Sequence, residues 1–239
     1  MTTVFIISAP SGSGKSTLVV ELRKIVEGLD FSVSYTTRPP RGSEQNRKEY
    51  YFVPREEFEA MVARGEFLEH ADVFGKYYGT HRRFLEQAQR AGRDLLLDID
   101  VQGAAQIQKS IPEAVSIFVL PPTYQELEWR LRNRGTDSEE VIGRRLDTAR
   151  REIENYDKYD YILVNDRLDQ SVERLKAIVL WERARRSGRP LTSDEQGVRE
   201  KAETCCLQNM RERVQPILDS FRRARPGTGL AAELGENSL

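Results

Sequence analysis

The chain has 239 residues, of which 31% are charged, and its acidic and basic side chains nearly cancel to a formal net charge of −1. No overall field therefore favours nucleic acid or an anionic membrane, so an anionic ligand has to be held by a local basic cluster. No apolar stretch approaches the roughly 20 residues of a membrane helix, and the two adjacent cysteines form neither a disulfide framework nor a Cys-based zinc site, which predicts a cytoplasmic protein.

Short apolar runs alternate with helix-period segments along much of the chain. The runs at 4–7, 95–97, 115–120 and 161–164 suit strands that are buried on both faces of a parallel sheet. Apolar residues three or four positions apart predict helices between these runs. They are Leu18, Leu22 and Ile25, then Ala104 and Ile107, then Leu127 and Leu131. Strands that alternate with helices imply βα units, so the predicted fold class is α/β.

Two segments interrupt this alternation. Residues 33–92 are rich in Arg, Tyr and Gly and contain short strand-like pieces, which predicts an inserted substrate-binding subdomain. Residues 130–151 are dense in arginine and are predicted to form a helical lid that is hinged near Gly135. Residues 1–32 and 93–187 then make up the core domain.

The segment 188–239 forms a C-terminal extension with a different pattern. Its apolar residues are three or four positions apart from Val198 onward, which predicts an amphipathic helix that is interrupted or restarted at Pro216. Such a helix needs a surface to pack on. Residues 226–239 are weakly patterned and are predicted to be disordered. The sequence leaves the role of the extension open.

A glycine- and serine-rich loop follows the first predicted strand and precedes the first helix. Its residues are Ala9, Pro10, Ser11, Gly12, Ser13, Gly14, Lys15, Ser16 and Thr17. In a P-loop, backbone N–H groups and a helix N-terminus face the phosphates of ATP, a lysine reaches the β- and γ-phosphates, and a hydroxyl binds Mg²⁺. Lys15 and Ser16 stand at these positions, so we predict a P-loop NTPase fold. Ala9 replaces the first glycine of the strict pattern, which is expected to add slight backbone strain without removing the cradle.

Two carboxylates, Asp98 and Asp100, follow the second buried run. Because strand side chains alternate, both lie on one face, at the carboxyl edge where ligands of open α/β sheets bind. We predict that Asp98 completes the metal site with Ser16, through a water molecule. Capping of the following helix is the alternative for either aspartate taken alone.

The chain resembles the guanylate kinase family at six separated motifs in the same order, spanning about residues 4–185. They are A-P-S-G-S-G-K-S, S-Y-T-T-R-P-P-R-G, Y-Y-G-T, L-L-L-D-I-D-V-Q-G, R-G-T-D-S-E-E and V-N-D. The resemblance implies an enzyme that transfers the γ-phosphoryl group of ATP to GMP with Mg²⁺, giving ADP and GDP. It leaves open whether dGMP is also used, and it predicts no oligomeric state.

The resemblance also implies a GMP site. Its residues would be Ser34, Arg38, Arg41, Tyr50, Glu69, Tyr78, Thr80, Asp98 and Asp100. Arg38 and Arg41, with hydroxyls around them, would form a cationic cup for a monophosphate dianion. Glu69 suits guanine, which presents N–H donors on the edge where adenine presents an acceptor.

Arginines of the lid complete the predicted catalytic set. By the resemblance, Arg130, Arg134 and Arg145 join Lys15 and Arg38 in stabilising charge on the transferred phosphoryl group. Lid closure would also exclude water. The Asn165-Asp166 pair is expected to border the adenine, although Arg167 stands where the family often has an acidic residue.

Two alternatives remain at this point. Another nucleoside monophosphate kinase would share the mechanism and differ in its base pocket, and Glu69 argues against that. A non-catalytic guanylate-kinase-like module would bind a peptide or protein partner. Such modules typically lose the phosphate loop, whereas Gly14, Lys15 and Ser16 are intact.

Overall fold

The computed structural model describes residues 2–133 and 138–224. Its strands, in chain order, are β1 (Val4–Ser8), β2 (Leu29–Phe31), β3 (Tyr35–Thr36), β4 (Tyr51–Phe52), β5 (Phe67–Val73), β6 (Lys76–His81), β7 (Asp94–Asp98), β8 (Val115–Leu120) and β9 (Tyr161–Val164). Its α-helices are α1 (Lys15–Ile25), α2 (Arg55–Ala63), α3 (Arg83–Ala91), α4 (Val101–Ser110), α5 (Tyr124–Asn133), α6 (Glu139–Ile153), α7 (Leu168–Ser187), α8 (Ser193–Glu203) and α9 (Leu207–Arg223). None of these helices has the length and apolar character that a membrane span requires.

The main sheet is parallel, with the strand order β2-β7-β1-β8-β9. Its central strand is apolar on both faces, because helices cover both sides. Ile6 faces a cluster that includes residues of α4, α5 and α6, whereas Ile7 faces a cluster with residues of α1 and α7. The predicted α/β fold of the P-loop type, with a parallel sheet flanked by helices, is confirmed.

A second, four-stranded sheet lies between β2 and β7 in the chain. Its order is β4-β3-β6-β5, and β6 runs antiparallel to both of its neighbours. Its small core contains Tyr35, Phe58, Met61 and Phe67. Strand β5 packs on α4, where the Gln106 side chain bonds to both backbone groups of His70. This contact joins the second sheet to the main one.

The C-terminal extension wraps around the edge of the main sheet at β9. Ala202 of α8 and Cys205 pack on the α1/α7 face, whereas α9 packs on the α5/α6 face. Between the two helices the backbone pairs with β9, since the Ile162 N–H donates to the Cys205 carbonyl at 2.7 Å. Leu207 N–H likewise donates to the Asp160 carbonyl at 3.0 Å.

The predicted helix break at Pro216 is wrong, because Pro216 lies inside α9. The helix stops instead at 204–206, where backbone groups are used for pairing with β9. The start of α8 was also missed. Thr192 and Glu195 form a capping box there, a pattern that is readable from the sequence. The predicted hinge at Gly135 and the predicted disordered tail, 226–239, lie outside the described residues.

Candidate active site

The phosphate loop joins β1 to α1 and is held from the side of β9. Gly14 has a φ of 87°, in the region that favours glycine. A Cβ at this position would lie 2.4 Å from the Asn165 Nδ2. The same Nδ2 donates a hydrogen bond to the Ser13 carbonyl at 2.8 Å. Gly14 therefore meets both a conformational and a steric requirement of the loop.

The strain expected at Ala9 is not found. Among the described residues, the non-glycines with positive φ are Arg47 and Phe74. Ala9 does not have a positive φ, and its methyl group is buried just after β1. The structure therefore shows no left-handed backbone strain at Ala9.

Lys15 and Asp98 lie together as the motif order predicts. Lys15 opens α1 and Asp98 ends β7, the strand beside β1. The Lys15 Nζ is 2.5 Å from the Asp98 Oδ1 and donates to the Ile99 carbonyl at 2.8 Å. The lysine is thus held at the carboxyl edge of the sheet, facing the open end of the phosphate loop.

The oxygen donors near the loop fit Mg²⁺. Ser16 is exposed on the first turn of α1, next in sequence to Lys15, which contacts the partly exposed Asp98. Within 2–133 and 138–224 no group of three or more His, Cys, Asp or Glu side chains could hold a metal ion. Mg²⁺ commonly takes one or two protein carboxylates and completes its coordination with substrate phosphates and water.

Two predicted arginines contact the phosphate loop. Arg130 of α5 donates to the Asn165 carbonyl at 2.9 Å and to the Ser13 carbonyl at 3.4 Å. Arg145 of α6 donates from Nε to the Ser11 Oγ at 3.0 Å. Helices α5 and α6 thus both contact the loop. Arg134, the third predicted arginine, lies outside the described residues.

Sequence reasoning missed Glu152 of α6. Its Oε2 accepts a hydrogen bond from the backbone N–H of Ser11 at 3.2 Å. Burial raises its pKa to about 7, and the nearby charge of Asp100 adds to the effect. The available signal was spacing, because positions 145 and 152 are seven apart and share one helix face.

The predicted phosphate cup is assembled around Arg38. This guanidinium is buried, and its Nε lies 3.3 Å from the Tyr78 hydroxyl. The ring of Tyr50 lies 5.1 Å below the guanidinium carbon. Burial and, second, the negative charge of Asp98 raise the pKa of Tyr50 to about 12. The rings of Tyr50 and Tyr78 meet edge-on, with centroids 5.9 Å apart, so both tyrosines belong to one cluster with Arg38.

Glu44 is a second residue that sequence reasoning missed. Its two carboxylate oxygens accept hydrogen bonds from the two Arg38 Nη atoms, at 2.8 and 2.9 Å. This pairing raises the pKa of Arg38. Its Oε2 also accepts the Arg41 backbone N–H at 2.7 Å. These hydrogen bonds hold the loop from Arg38 to Glu44 around the guanidinium group of Arg38. The Arg41 side chain is exposed and Ser34 is half-buried.

The proposed base pocket is built on Glu69, which is only 4% exposed. Thr80, opposite on β6, donates to its Oε1 at 2.6 Å. Burial raises the pKa of Glu69 to about 7, against the lowering effect of the Thr80 bond. A Cβ at Gly103 would lie 2.3 Å from the Glu69 Oε2, so glycine in α4 leaves room for this carboxylate.

Asp100 caps helix α4, as the alternative interpretation of this residue allowed. Its Oδ1 accepts the Gly103 N–H at 2.8 Å. Asp100 also lies near Glu69, since both side chains are within 3.4 Å of the position that a Cβ on Gly103 would take, and it lines one cavity with Glu152. The cap fixes the aspartate at the junction of the two predicted sites.

Comparison with known proteins identifies the family of this chain. The family model described as guanylate kinase matches residues 1–182. A guanylate kinase of Koribacter versatilis is 58% identical over 225 residues, covering 93% of this chain and 97% of its own. One from Neisseria meningitidis serogroup A is 53% identical over 184 residues, covering 77% and 90%. The crystal structure of guanylate kinase from Anaplasma phagocytophilum has a TM-score of 0.63 at 35% identity and covers 85% of this chain and 94% of its own. This chain belongs to the guanylate kinase family.

Proposed function

We propose that the protein transfers the γ-phosphoryl group of ATP to GMP, giving ADP and GDP. One observation carries the proposal: a phosphate loop with Lys15 beside Asp98 shares the fold with a buried arginine, Arg38, and with a buried glutamate, Glu69, that lies against Gly103 close to Asp100. A donor held at the loop and an acceptor held by Arg38 would meet at their phosphates. A module that only binds a protein partner would not need both.

On the donor side, the loop N–H groups and the N-terminus of α1 would hold the ATP phosphates. Lys15 would move from Asp98 onto the β- and γ-phosphates. Arg130 and Arg145 already contact the loop, so the charge that develops on the transferred group would find guanidinium donors within reach. Arg134 is proposed to join them from the lid.

On the acceptor side, Arg38, Arg41, Tyr50, Tyr78 and Ser34 would bind the GMP phosphate. Pairing with Glu44 keeps the Arg38 guanidinium rigid, which lowers the ordering cost of binding. The GMP phosphate would then attack the γ-phosphorus in line, and no residue of the chain would become covalently modified.

Guanine would be recognised by Glu69, with Thr80 and Asp100. The N1–H and N2–H₂ groups of guanine would donate hydrogen bonds to the ionised Glu69 carboxylate, which is buried away from water. Adenine presents an acceptor instead and would leave the carboxylate unpaired, which a buried site penalises strongly. Since the pKa of Glu69 is about 7 without ligand, binding of GMP would be accompanied by proton release.

Mg²⁺ is proposed as the cofactor, bound through Ser16 and, by way of water, Asp98. When bound, the ion supplies positive charge to the phosphate oxygens. The proposed division follows the two sites: residues 1–32 and 93–187 bind the donor, with the lid at about 130–151. Residues 33–92 bind the acceptor, and 188–239 form an extension to the donor side.

A panel of monophosphates tests the proposal. Purified protein is assayed with ATP, Mg²⁺ and GMP, dGMP, AMP, CMP or UMP, and ADP release is followed by a coupled assay. We expect GMP to be preferred over AMP by about 10⁴-fold in kcat/KM, because the base pocket is built on a carboxylate. Equal rates with AMP and GMP would contradict the base assignment. The dGMP arm shows whether the 2′-hydroxyl is read.

A further inference from the structure

The C-terminal extension reaches the donor side of the proposed site through one ion pair. Arg213 of α9 donates from Nη2 to the Asp166 Oδ2 at 2.8 Å. Asp166 follows β9 in the loop 165–167, and its other oxygen accepts the Arg167 N–H at 2.8 Å. Arg174 of α7 is 3.7 Å from the same carboxylate. Asp166 is thus bound from the extension and from the core.

The loop 165–167 touches the phosphate loop. Asn165 donates to the Ser13 carbonyl at 2.8 Å, and Arg130 bonds to the carbonyls of both residues. A shift of Asp166 would move Asn165, its neighbour in the chain. Since the Asn165 Nδ2 would lie only 2.4 Å from a Cβ on Gly14, the two loops are in close contact.

The direction of phosphoryl transfer indicates which part of ATP would lie near the loop 165–167. The acceptor residues lie on the β7 side of β1, because β5, which carries Glu69, packs on α4, the helix that follows β7. In-line attack requires the leaving ADP to point away from the acceptor. The ribose and base of ATP would therefore extend toward the carboxyl ends of β8 and β9, where the loop 165–167 begins.

We propose that Arg213 is a positioning residue for the donor nucleotide: it holds Asp166, and with it the loop 165–167, against the phosphate loop and the nucleoside end of ATP. This inference rests on the proposed function. It assigns a role in the reaction to residues beyond 182, where the match to the family model ends.

The position of Arg213 is fixed by the helix that carries it. Met210, Val214 and Ile217 flank it on α9, and all three are buried in the core cluster that includes β9 residues. The Arg213 side chain itself is 44% exposed, so its replacement removes an ion pair without opening the core. Arg222 of the same helix is 53% exposed and pairs with Glu154 of the α6 C-cap, away from the loop 165–167. It is a matched control.

The test compares R213A, R213K and R222A with the wild type by measuring kcat and both KM values at saturating partner substrate. We expect R213A to raise the KM for ATP about two- to fivefold, the range of a partly exposed ion pair. The kcat, the KM for GMP and the melting temperature should stay unchanged. R213K should recover most of the affinity for ATP, and R222A should match the wild type.

A double-mutant cycle with D166N tests the route of the effect. If Arg213 acts through Asp166, R213A/D166N has the same KM for ATP as D166N alone. The inference is overturned if R213A equals R222A in its KM for ATP, if the KM for GMP rises equally, or if the two effects add. Wild-type protein without kinase activity would instead contradict the proposed function. The affinity of a non-hydrolysable ATP analogue, measured by calorimetry, separates the two failures.

Discussion

The Glu152 carboxylate lies in hydrogen-bond contact with the Ser11 backbone N–H, 3.2 Å from Oε2 to N, inside the loop that would receive the ATP phosphates. The Glu152 carboxyl group therefore occupies a backbone donor that is proposed to bind phosphate. Glu152 is partly buried, and its surroundings include the negative charge of Asp100 and the positive charges of Lys15 and Arg151. Arrival of ATP would bring further negative charge to the same place, so the carboxylate has to move or bind a proton.

This contact predicts a pH dependence of ATP binding. The pKa of Glu152 is raised from its ordinary 4.5 to about 7, so the side chain is mostly neutral at pH 6 and mostly ionised at pH 8. If ATP binds to the protonated form, affinity falls about tenfold at pH 8. E152Q is neutral at both values and should bind ATP more tightly than the wild type at pH 8 and about equally at pH 6.

The measurement is the dissociation constant of a non-hydrolysable ATP analogue at pH 6 and pH 8. Because ATP also titrates near pH 6, the quantity of interest is the ratio of wild type to variant at each pH. E154Q is the control, since Glu154 is exposed and pairs with Arg222. A ratio that stays constant between the two values would remove Glu152 from the donor site.

Glu69 predicts the opposite pH dependence for the acceptor. Its pKa is also about 7 without ligand, but GMP needs the ionised form, which accepts the guanine N–H donors. Affinity for GMP should therefore rise as the pH increases from 6 to 8. In E69Q the KM for GMP should rise about 10- to 100-fold, because one acceptor becomes a donor facing guanine. This variant should lose the pH dependence and keep its KM for ATP.

Steady-state kinetics at both pH values check this prediction. E66Q provides the control, because Glu66 precedes β5 and pairs with Arg64 rather than facing the pocket. An equal loss for both nucleotides in E69Q would argue for a general structural defect, and circular dichroism melting would show it.

Lys15 is predicted to contribute to turnover far more than to stability. K15A removes the ammonium group that would hold the β- and γ-phosphates, so kcat should fall about 10³-fold. The unfolding free energy should change by only about 1–2 kcal/mol, because the Asp98 and Ile99 contacts of Lys15 are partly solvated. K24A alters an exposed lysine of the same helix and should leave both quantities unchanged. Near-normal turnover of K15A in the coupled assay would refute the role.

The strands and the donor loop follow directly from local sequence patterns. The apolar run before Ala9 forms β1, and Lys15 meets Asp98 because the loop that follows β1 leads into α1 beside the carboxyl end of β7, the neighbouring parallel strand. Such adjacency is a property of the fold class and needs no knowledge of side-chain packing. By contrast, Arg38 and Tyr78 are 40 positions apart in the sequence, so their contact could be predicted only through the resemblance.

Glu152 and the break before α9 were not predicted, because both depend on tertiary contacts. The spacing from Arg145 places Glu152 on the same helix face, but only the contact of α6 with the phosphate loop distinguishes it from the other charged residues of α6. The pattern around Pro216 indicated a break, but α9 continues through the proline while 204–206 pairs with β9. Local propensity was overridden by a strand edge that offered unpaired backbone groups.

The packing of α9 provides the last prediction. Phe221 is 3% exposed, and its ring meets that of Tyr124 edge-on, with centroids 5.4 Å apart. Tyr124 begins α5, and its backbone N–H donates to Ser220 at 3.0 Å, so this contact fastens the extension to the helix that carries Arg130. F221A should lower the unfolding free energy by about 3 kcal/mol through loss of burial and a residual cavity. R222A, a neighbouring exposed change, should alter it by less than about 0.5 kcal/mol. Urea unfolding monitored by fluorescence measures both, and a loss of under about 1 kcal/mol for F221A would show that α9 is not fastened to α5 in solution.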